Sequence, residues 1–276
     1  MRYTLRDVIE TRYEIGRSFQ EKMSERLVLC SAITKFFSPP QTYIFLNLGM
    51  HADWITFASI FFIIIAAVLF ILGHSVTGVI AVLIFALFDA VDGDMARCTK
   101  ARTGRTSSYG PIIDSLGADF FYALIPFSVG YFLFSINTEA WFLSSEHILI
   151  SSAFVSLSFL LYRIVNVKRL RFLADHQQAK EEKTSVRVER NMRSSFVKRS
   201  IIRIVKLSRH IAVKGNFFAE PGLILWFSIF LLTKQYEILG VYIIVVLFYN
   251  LGFLGINILN AYRTFLSYEE NTTKNQ

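Results

Sequence analysis

Apolar residues in this chain run together instead of alternating with polar ones. Trp54 to Leu72, Val76 to Leu87 and Val241 to Ile258 are almost unbroken. A bilayer's hydrocarbon core of roughly 30 Å takes about 20 apolar residues per crossing helix. Lipid offers backbone groups no water, so each run is predicted to be a helix that satisfies its own hydrogen bonds. Six spans follow, at about 54–73, 76–98, 110–135, 146–165, 218–234 and 237–262. A large soluble helical protein would need a polar face on each helix. These segments offer almost none, which excludes that class.

The flanking segments have a different pattern. Over residues 1–50, Arg2, Arg6, Arg12, Arg17, Lys22 and Arg26 interleave with Leu5, Val8, Ile9, Tyr13, Ile15 and Phe19. That suits an amphipathic helix lying in the headgroup plane. Ser38-Pro39-Pro40 is expected to break any helix there. A polar, basic connector occupies about 166–214, and its second half, from Phe196 to Lys206, again mixes basic and apolar residues. The predicted fold class is therefore all-α: a polytopic membrane protein of six transmembrane helices preceded by an N-terminal interfacial amphipathic helix. Its parts are an interfacial segment (1–50), a six-span membrane domain (51–265) and a tail (266–276).

Composition agrees. The chain is 53% hydrophobic with 27 phenylalanines, and 18% of its residues are charged, against about 25% in soluble domains. Charge then sets orientation. The connectors near His74 and across Asn137–Ser145 hold no Lys or Arg, and the turn near Gln235 holds only Lys234. The remaining basic residues lie in the N-terminal segment, the 97–105 turn, the 163–214 connector or after Tyr262. Basic residues stay cytoplasmic, so both termini and both basic connectors are predicted on that side, in a bacterial inner membrane or a eukaryotic internal one. The net charge of +8 is thus a topology signal. No nucleic-acid motif accompanies it, so no nucleic-acid partner is expected. Nothing at the N-terminus has the pattern of a cleavable signal peptide. Cys30 and Cys98 fall on the cytoplasmic side, as free thiols. Asn250, Asn257 and Asn260 on the last span are read as hydrogen-bonding between helices.

The candidate chemistry lies in the acids. Each intramembrane Asp costs about 2.5–3.5 kcal/mol at a helix centre. Asp89, Asp92 and Asp94 nevertheless sit at the cytoplasmic end of the second span, and Asp114 and Asp119 at the start of the third. At about 100° per residue, Asp89, Asp92, Gly93, Ala96 and Arg97 share one face. Asp94 points away from it, towards the water interface. Gly93 and Ala96 remove bulk so that a ligand can approach, and Arg97 is placed to meet phosphate. On the third span Gly110 and Asp114 are one turn apart. Carboxylates facing a common gap form an oxygen site for Mg²⁺ or Mn²⁺, and two such ions would offset most of the charge. Arg102 and Arg105, in the turn between the two acidic clusters, are candidate phosphate contacts.

The string Asp89-Ala-Val-Asp92-Gly93-Asp-Met-Ala96-Arg97, followed by Gly110-Pro-Ile-Ile-Asp114, resembles the signature of the CDP-alcohol phosphotransferase family: D-x2-D-G-x2-A-R, a short gap, then G-x3-D-x3-D. The resemblance implies that Asp89, Asp92 and Asp114 ligate metal and that Asp92, Gly93, Ala96, Arg97 and Gly110 hold the CDP donor. It implies that the last aspartate of the signature, Asp119 here, joins the metal site and serves as the general base. It also implies a CDP-lipid or CDP-alcohol donor, a small or lipid alcohol acceptor, release of CMP, a bilayer setting and a homodimer.

Two departures stand out. Arg97 and Gly110 are separated by twelve residues, more than in the family, which a longer turn absorbs. The residue four after Asp114 is Ala118, and the acid is Asp119, five after. A π-bulge would return Asp119 to the face of Asp114, made cheaper by Gly117; otherwise Asp119 is structural. The rival readings are an intramembrane prenyltransferase with a magnesium-bound diphosphate, a cation transporter and an inactive relative.

Overall fold

The computed structural model describes residues 3–11, 29–104, 109–141, 143–181 and 220–273. These form eight helices in chain order: α1 (residues 5–11), α2 (Leu29–Asn47), α3 (Ala52–Ile71), α4 (Ser75–Thr103), α5 (Gly110–Ser135), α6 (Ser145–Glu181), α7 (Glu220–Leu232) and α8 (Tyr236–Thr273). Among the described residues the sole β-type pairing is a bridge between Ala140 and Leu143 in the α5–α6 turn.

Five helices, α3, α4, α5, α6 and α8, are long and apolar enough to cross a membrane. The expected span at 218–234 is the exception. Its described part, α7, has 13 residues, about 20 Å at 1.5 Å per residue, short of a full crossing. Of the interfacial segment expected over residues 1–50, residues 5–11 and Leu29–Asn47 are helical and 12–28 fall outside the described residues, as does the basic stretch from Phe196 to Lys206.

Two boundaries differ from expectation. α2 runs straight through Ser38-Pro39-Pro40, where a break was predicted. Tertiary packing outweighs the two missing N–H donors: Ser38 and Thr42 are fully buried, and the Ser38 hydroxyl reaches the Ala90 carbonyl of α4 at 3.4 Å. α6 continues to Glu181, well past the end expected near 165. Hydropathy marks where a helix leaves lipid. It does not mark where the helix ends, and Leu173-Ala174 and Gln177–Lys180 are good helix formers.

The spans pack in a closed order: α4 on α3, α3 on α5, α5 on α6, α6 on α8, α8 on α7, and α7 back on α4. α3 supports both α4 and α5, which touch each other little. Its outer face, with Phe57, Phe61, Ile64, Val68 and Ile71, is exposed, while Ile63, Ala66, Ala67 and Phe70 are buried. Both faces are apolar because the surroundings of both are apolar.

Small residues set the helix separations, as is usual where lipid removes the hydrophobic drive between helices. A Cβ on Gly130 of α5 would fall 1.8 Å from Ser152 Oγ and 2.3 Å from Ser152 Cβ of α6. Two turns nearer the acidic end, Tyr122 and Phe159 stack with ring centroids 4.2 Å apart. Gly104 ends α4 in the left-handed region (φ +67°), its N–H capping the Lys100 carbonyl at 2.9 Å, the usual glycine stop. Pro111 opens α5, where its missing N–H costs nothing. Asn257 of α8 turns to its own helix, where a bond between helices was expected. Asn257 Nδ2 donates to the Phe253 carbonyl of its own helix at 2.8 Å, and Asn250 Nδ2 is buried with no partner among the described residues.

The Gly130–Ser152 contact yields the first prediction. Gly130→Val forces α5 and α6 apart and lowers stability by about 1–3 kcal/mol, read as a lower melting temperature in detergent. Adding Ser152→Gly reopens the space and restores most of the loss.

Candidate active site

Asp89 and Asp92 lie on α4 one turn apart, and Asp114 lies on the first turns of α5. One carboxylate oxygen from each falls within 4.8 Å of the others. The sequence thus placed all three correctly on facing helices. α3 backs the site with the buried Thr56, whose hydroxyl donates to the Ala52 carbonyl of its own helix at 3.2 Å. Phe85, one turn deeper than Asp89, stacks on Phe121, about two turns deeper than Asp114, with centroids 5.7 Å apart. Both rings are fully buried and close the floor of the gap. The site grades from buried Asp92 through half-buried Asp89 to exposed Asp114, so it opens at one end of the bundle.

No cation of the chain pairs with these three carboxylates among the described residues. Asp92 Oδ2 is sealed from solvent without a hydrogen-bond partner. A buried, unpaired carboxylate oxygen carries a large desolvation penalty. An all-oxygen set of three acids, one with an orphaned oxygen, fits a hard divalent cation such as Mg²⁺ or Mn²⁺.

Asp94 corrects an expectation. It is buried, not placed at the water interface. The helix face turned away from Asp89 is covered by α2. The Ser38 hydroxyl donates to Asp94 Oδ2, and Arg97 Nη2 pairs with Asp94 Oδ1 at 2.5 Å. A Cβ on Gly93 would meet that guanidinium at 3.4 Å, so Arg97 folds over the bare backbone of Gly93. Ala96 is exposed and Gly110 half-buried. Arg102 stands over the Tyr3 ring, 4.4 Å from its centroid, tying α4 to the N-terminal segment. The Asn47 side chain holds that segment from α2, with Tyr3 N–H donating to Oδ1 at 2.9 Å and Nδ2 donating to the Tyr3 carbonyl at 3.1 Å. Arg105 falls outside the described residues. Cys98 is a free, buried thiol.

Asp119 is not drawn into the cluster. α5 is α-helical from Gly110 to Ser135 with no π turn, so the bulge that would have rotated Asp119 is absent. Gly117 is buried where α5 passes α3, and an added Cβ there would make an ordinary 3.6 Å contact with Ile60. Asp119 ion-pairs with Arg163 of α6. Arg163 Nη2 also donates to the Ser115 carbonyl at 3.0 Å and the Ser115 hydroxyl at 2.8 Å. The sequence places Arg163 in the basic connector and Ser38 at a helix break, and gives no role to Thr56 or Ser115. The four-residue spacing of Ser115 and Asp119 was the signal that could have found this second polar face.

The family model of CDP-alcohol phosphatidyltransferase matches residues 49–248, well over half of the chain. The chain belongs to the CDP-alcohol phosphatidyltransferase family. None of the curated proteins matches it. The match begins just before α3 and ends within α8, so it takes in the whole carboxylate site and leaves out α1 and α2. As a member of this family with five membrane-length apolar helices, the chain is an integral membrane transferase that moves a phosphoalcohol group from a CDP-alcohol. The family is typically dependent on divalent metal, and the Asp89–Asp92–Asp114 cluster is suited to hold one.

Metal binding separates the acids. Mn²⁺ titration followed by electron paramagnetic resonance in detergent is expected to show affinity lowered by about 10–100-fold or more in Asp89→Asn, Asp92→Asn and Asp114→Asn, since even outer-shell changes reach that range. Asp119→Asn is expected to bind Mn²⁺ nearly as the unaltered protein does.

Proposed function

We propose that the protein transfers a phosphoalcohol group, in the form of a phosphatidyl group from CDP-diacylglycerol or a similar CDP-lipid, to an acceptor alcohol with release of CMP, in phospholipid biosynthesis. The observation that carries this reading is the three-carboxylate cluster with an orphaned buried oxygen, in a gap that opens at one end of a membrane bundle. A site at that depth suits a donor whose acyl chains stay in lipid while its nucleotide reaches water. The basic flanks favour a cytoplasmic opening and cytoplasmic termini.

Asp89, Asp92 and Asp114 hold the divalent metal, two ions being the arrangement that best balances the acids. When bound, the metal neutralises the donor's diphosphate and stabilises charge on the leaving phosphate. Ala96 leaves room for the donor on α4 and Gly110 does the same from α5, while Gly93 gives space to the Arg97 guanidinium, which is offered to phosphate. Arg102 and Arg105 are secondary phosphate contacts. Phe85 and Phe121 keep water from entering beneath the site. The acceptor oxygen attacks the β-phosphorus, and its bond forms as the β-phosphorus–oxygen bond to CMP breaks. CMP leaves with that electron pair, and the acceptor's proton ends in solvent at the open side, where Asp114 is exposed. A homodimer, common in the family, is compatible with the large exposed apolar surface.

The test is CMP release by protein purified in detergent, with CDP-diacylglycerol, Mg²⁺ or Mn²⁺ and a panel of acceptor alcohols. Metal-dependent release that Asp89→Asn eliminates supports the reading. Lack of cytidine-nucleotide binding sinks it and promotes the prenyl-diphosphate or cation-transport alternative. Asp94→Asn, which releases Arg97 from its anchor, is expected to raise the donor's KM by about tenfold, the worth of one charge-assisted contact, while leaving Mn²⁺ binding in place.

A further inference from the structure

The one-residue displacement of Asp119 changes which helix it addresses. Ser115 and Asp119 are four apart on a regular helix, so they share a face. Asp114, one position before Ser115, is turned about 100° from that face. Asp114 therefore looks towards α4 and the other two carboxylates, while Ser115 and Asp119 look towards α6. There Arg163 meets both: Nε engages Asp119, and Nη2 engages the Ser115 carbonyl and hydroxyl. Three contacts from two residues fix a side chain that would otherwise sample many rotamers. The Arg163 side chain is not sealed, for it keeps 27% of its surface exposed. Its hold on Ser115, the residue after Asp114, sets it beside the carboxylate cluster. A fixed, part-exposed cation at the rim of a carboxylate cluster is a receptor for an anion that straddles both. A carboxylate acting as base would need to face the cluster with its oxygens free, and Ala118 occupies the position that would allow it.

We propose that Asp119 is a positioning residue, which with Ser115 holds the Arg163 guanidinium at the rim of the carboxylate cluster to receive a phosphate group of a substrate. This rests on the phosphoalcohol-transfer reading above. The phosphate belongs either to the CDP donor or to a phosphorylated acceptor, and the two sources separate in the test.

The experiment is a double-variant cycle: unaltered protein, Asp119→Asn, Arg163→Gln and the pair, with Asp89→Asn as control. KM and kcat for donor and acceptor come from CMP release across pH. Each single variant is expected to raise the KM of the phosphate-bearing substrate by about 10–100-fold, the loss of a charge-assisted contact. The pair should be no worse than Arg163→Gln alone, because Asp119 acts through Arg163. Ser115→Ala should give a smaller rise in the same KM, and Asp119→Glu should recover part of the loss; these two serve if Asp119→Asn does not fold. A rise confined to the donor's KM assigns the phosphate to the donor, and one confined to the acceptor's assigns it there. Near-complete loss of kcat in Asp119→Asn in both backgrounds, with KM unchanged and the acid limb of the pH profile gone, would make Asp119 the base and overturn the proposal. If the unaltered protein releases no CMP, the transfer reading fails by itself, and inorganic phosphate tests the anion site directly. A phosphate-dependent rise in melting temperature that Arg163→Gln removes supports the site, and an equal rise in both proteins overturns it.

Discussion

The structure is organised around the cost of keeping carboxylates at membrane depth. A soluble protein would leave Asp89, Asp92 and Asp114 to water. Here α3 packs along both α4 and α5 and holds their acidic ends across a narrow gap. The stacked Phe85 and Phe121 rings close that gap below, and Asp92 is left with an oxygen that nothing in the described chain satisfies. Negative charge gathered and partly dehydrated in this way demands a positive ligand. The affinity for metal and the arrangement of the helices are therefore one constraint seen from two sides.

The remaining acids show the opposite solution. Asp94 is matched to Arg97 and to the Ser38 hydroxyl, and Asp119 to Arg163, which Ser115 also holds. The protein thus has two kinds of acid within a short stretch of two helices. Three gather in one gap and make no ion pair within the described chain, and two are matched and face neighbouring helices. Each matched acid fixes an arginine near the unmatched cluster. Charge pairing here orders the site, since an ion pair taken out of water contributes little net stability on its own.

Much of this was legible in the sequence, and the parts that were not share a cause. Unbroken apolar runs identified the five long spans, and the 3.6-residue period brought Asp89 and Asp92 onto one face. Local sequence could not say what covers a face. Asp94 reads as solvent-facing until α2 is seen lying over it. Pro39 and Pro40 read as a break until Ser38 is seen buried against α4. Arg163 reads as the first residue of a basic loop because hydropathy falls there, although α6 continues to Glu181. The regularity of α5 keeps Asp119 off the face of Asp114: a bulge was conceivable from Gly117, but the helix runs unbroken through it. The 13-residue α7 shows the converse, a run that is apolar by composition and shorter than a full crossing in its described part.

The close contact of Gly130 with Ser152 has a geometric consequence for the charged end. Asp119 lies eleven residues before Gly130, and Arg163 lies eleven residues after Ser152, about 16 Å along each helix. The two helices are antiparallel arms of equal length measured from one fulcrum, and the ion pair is a strap joining their tips. A rotation of a few degrees at the glycine would displace the tips by about an ångström, enough to break or make the strap. The separation of α5 and α6 at the charged end is thereby tied to the packing at a glycine about 16 Å away.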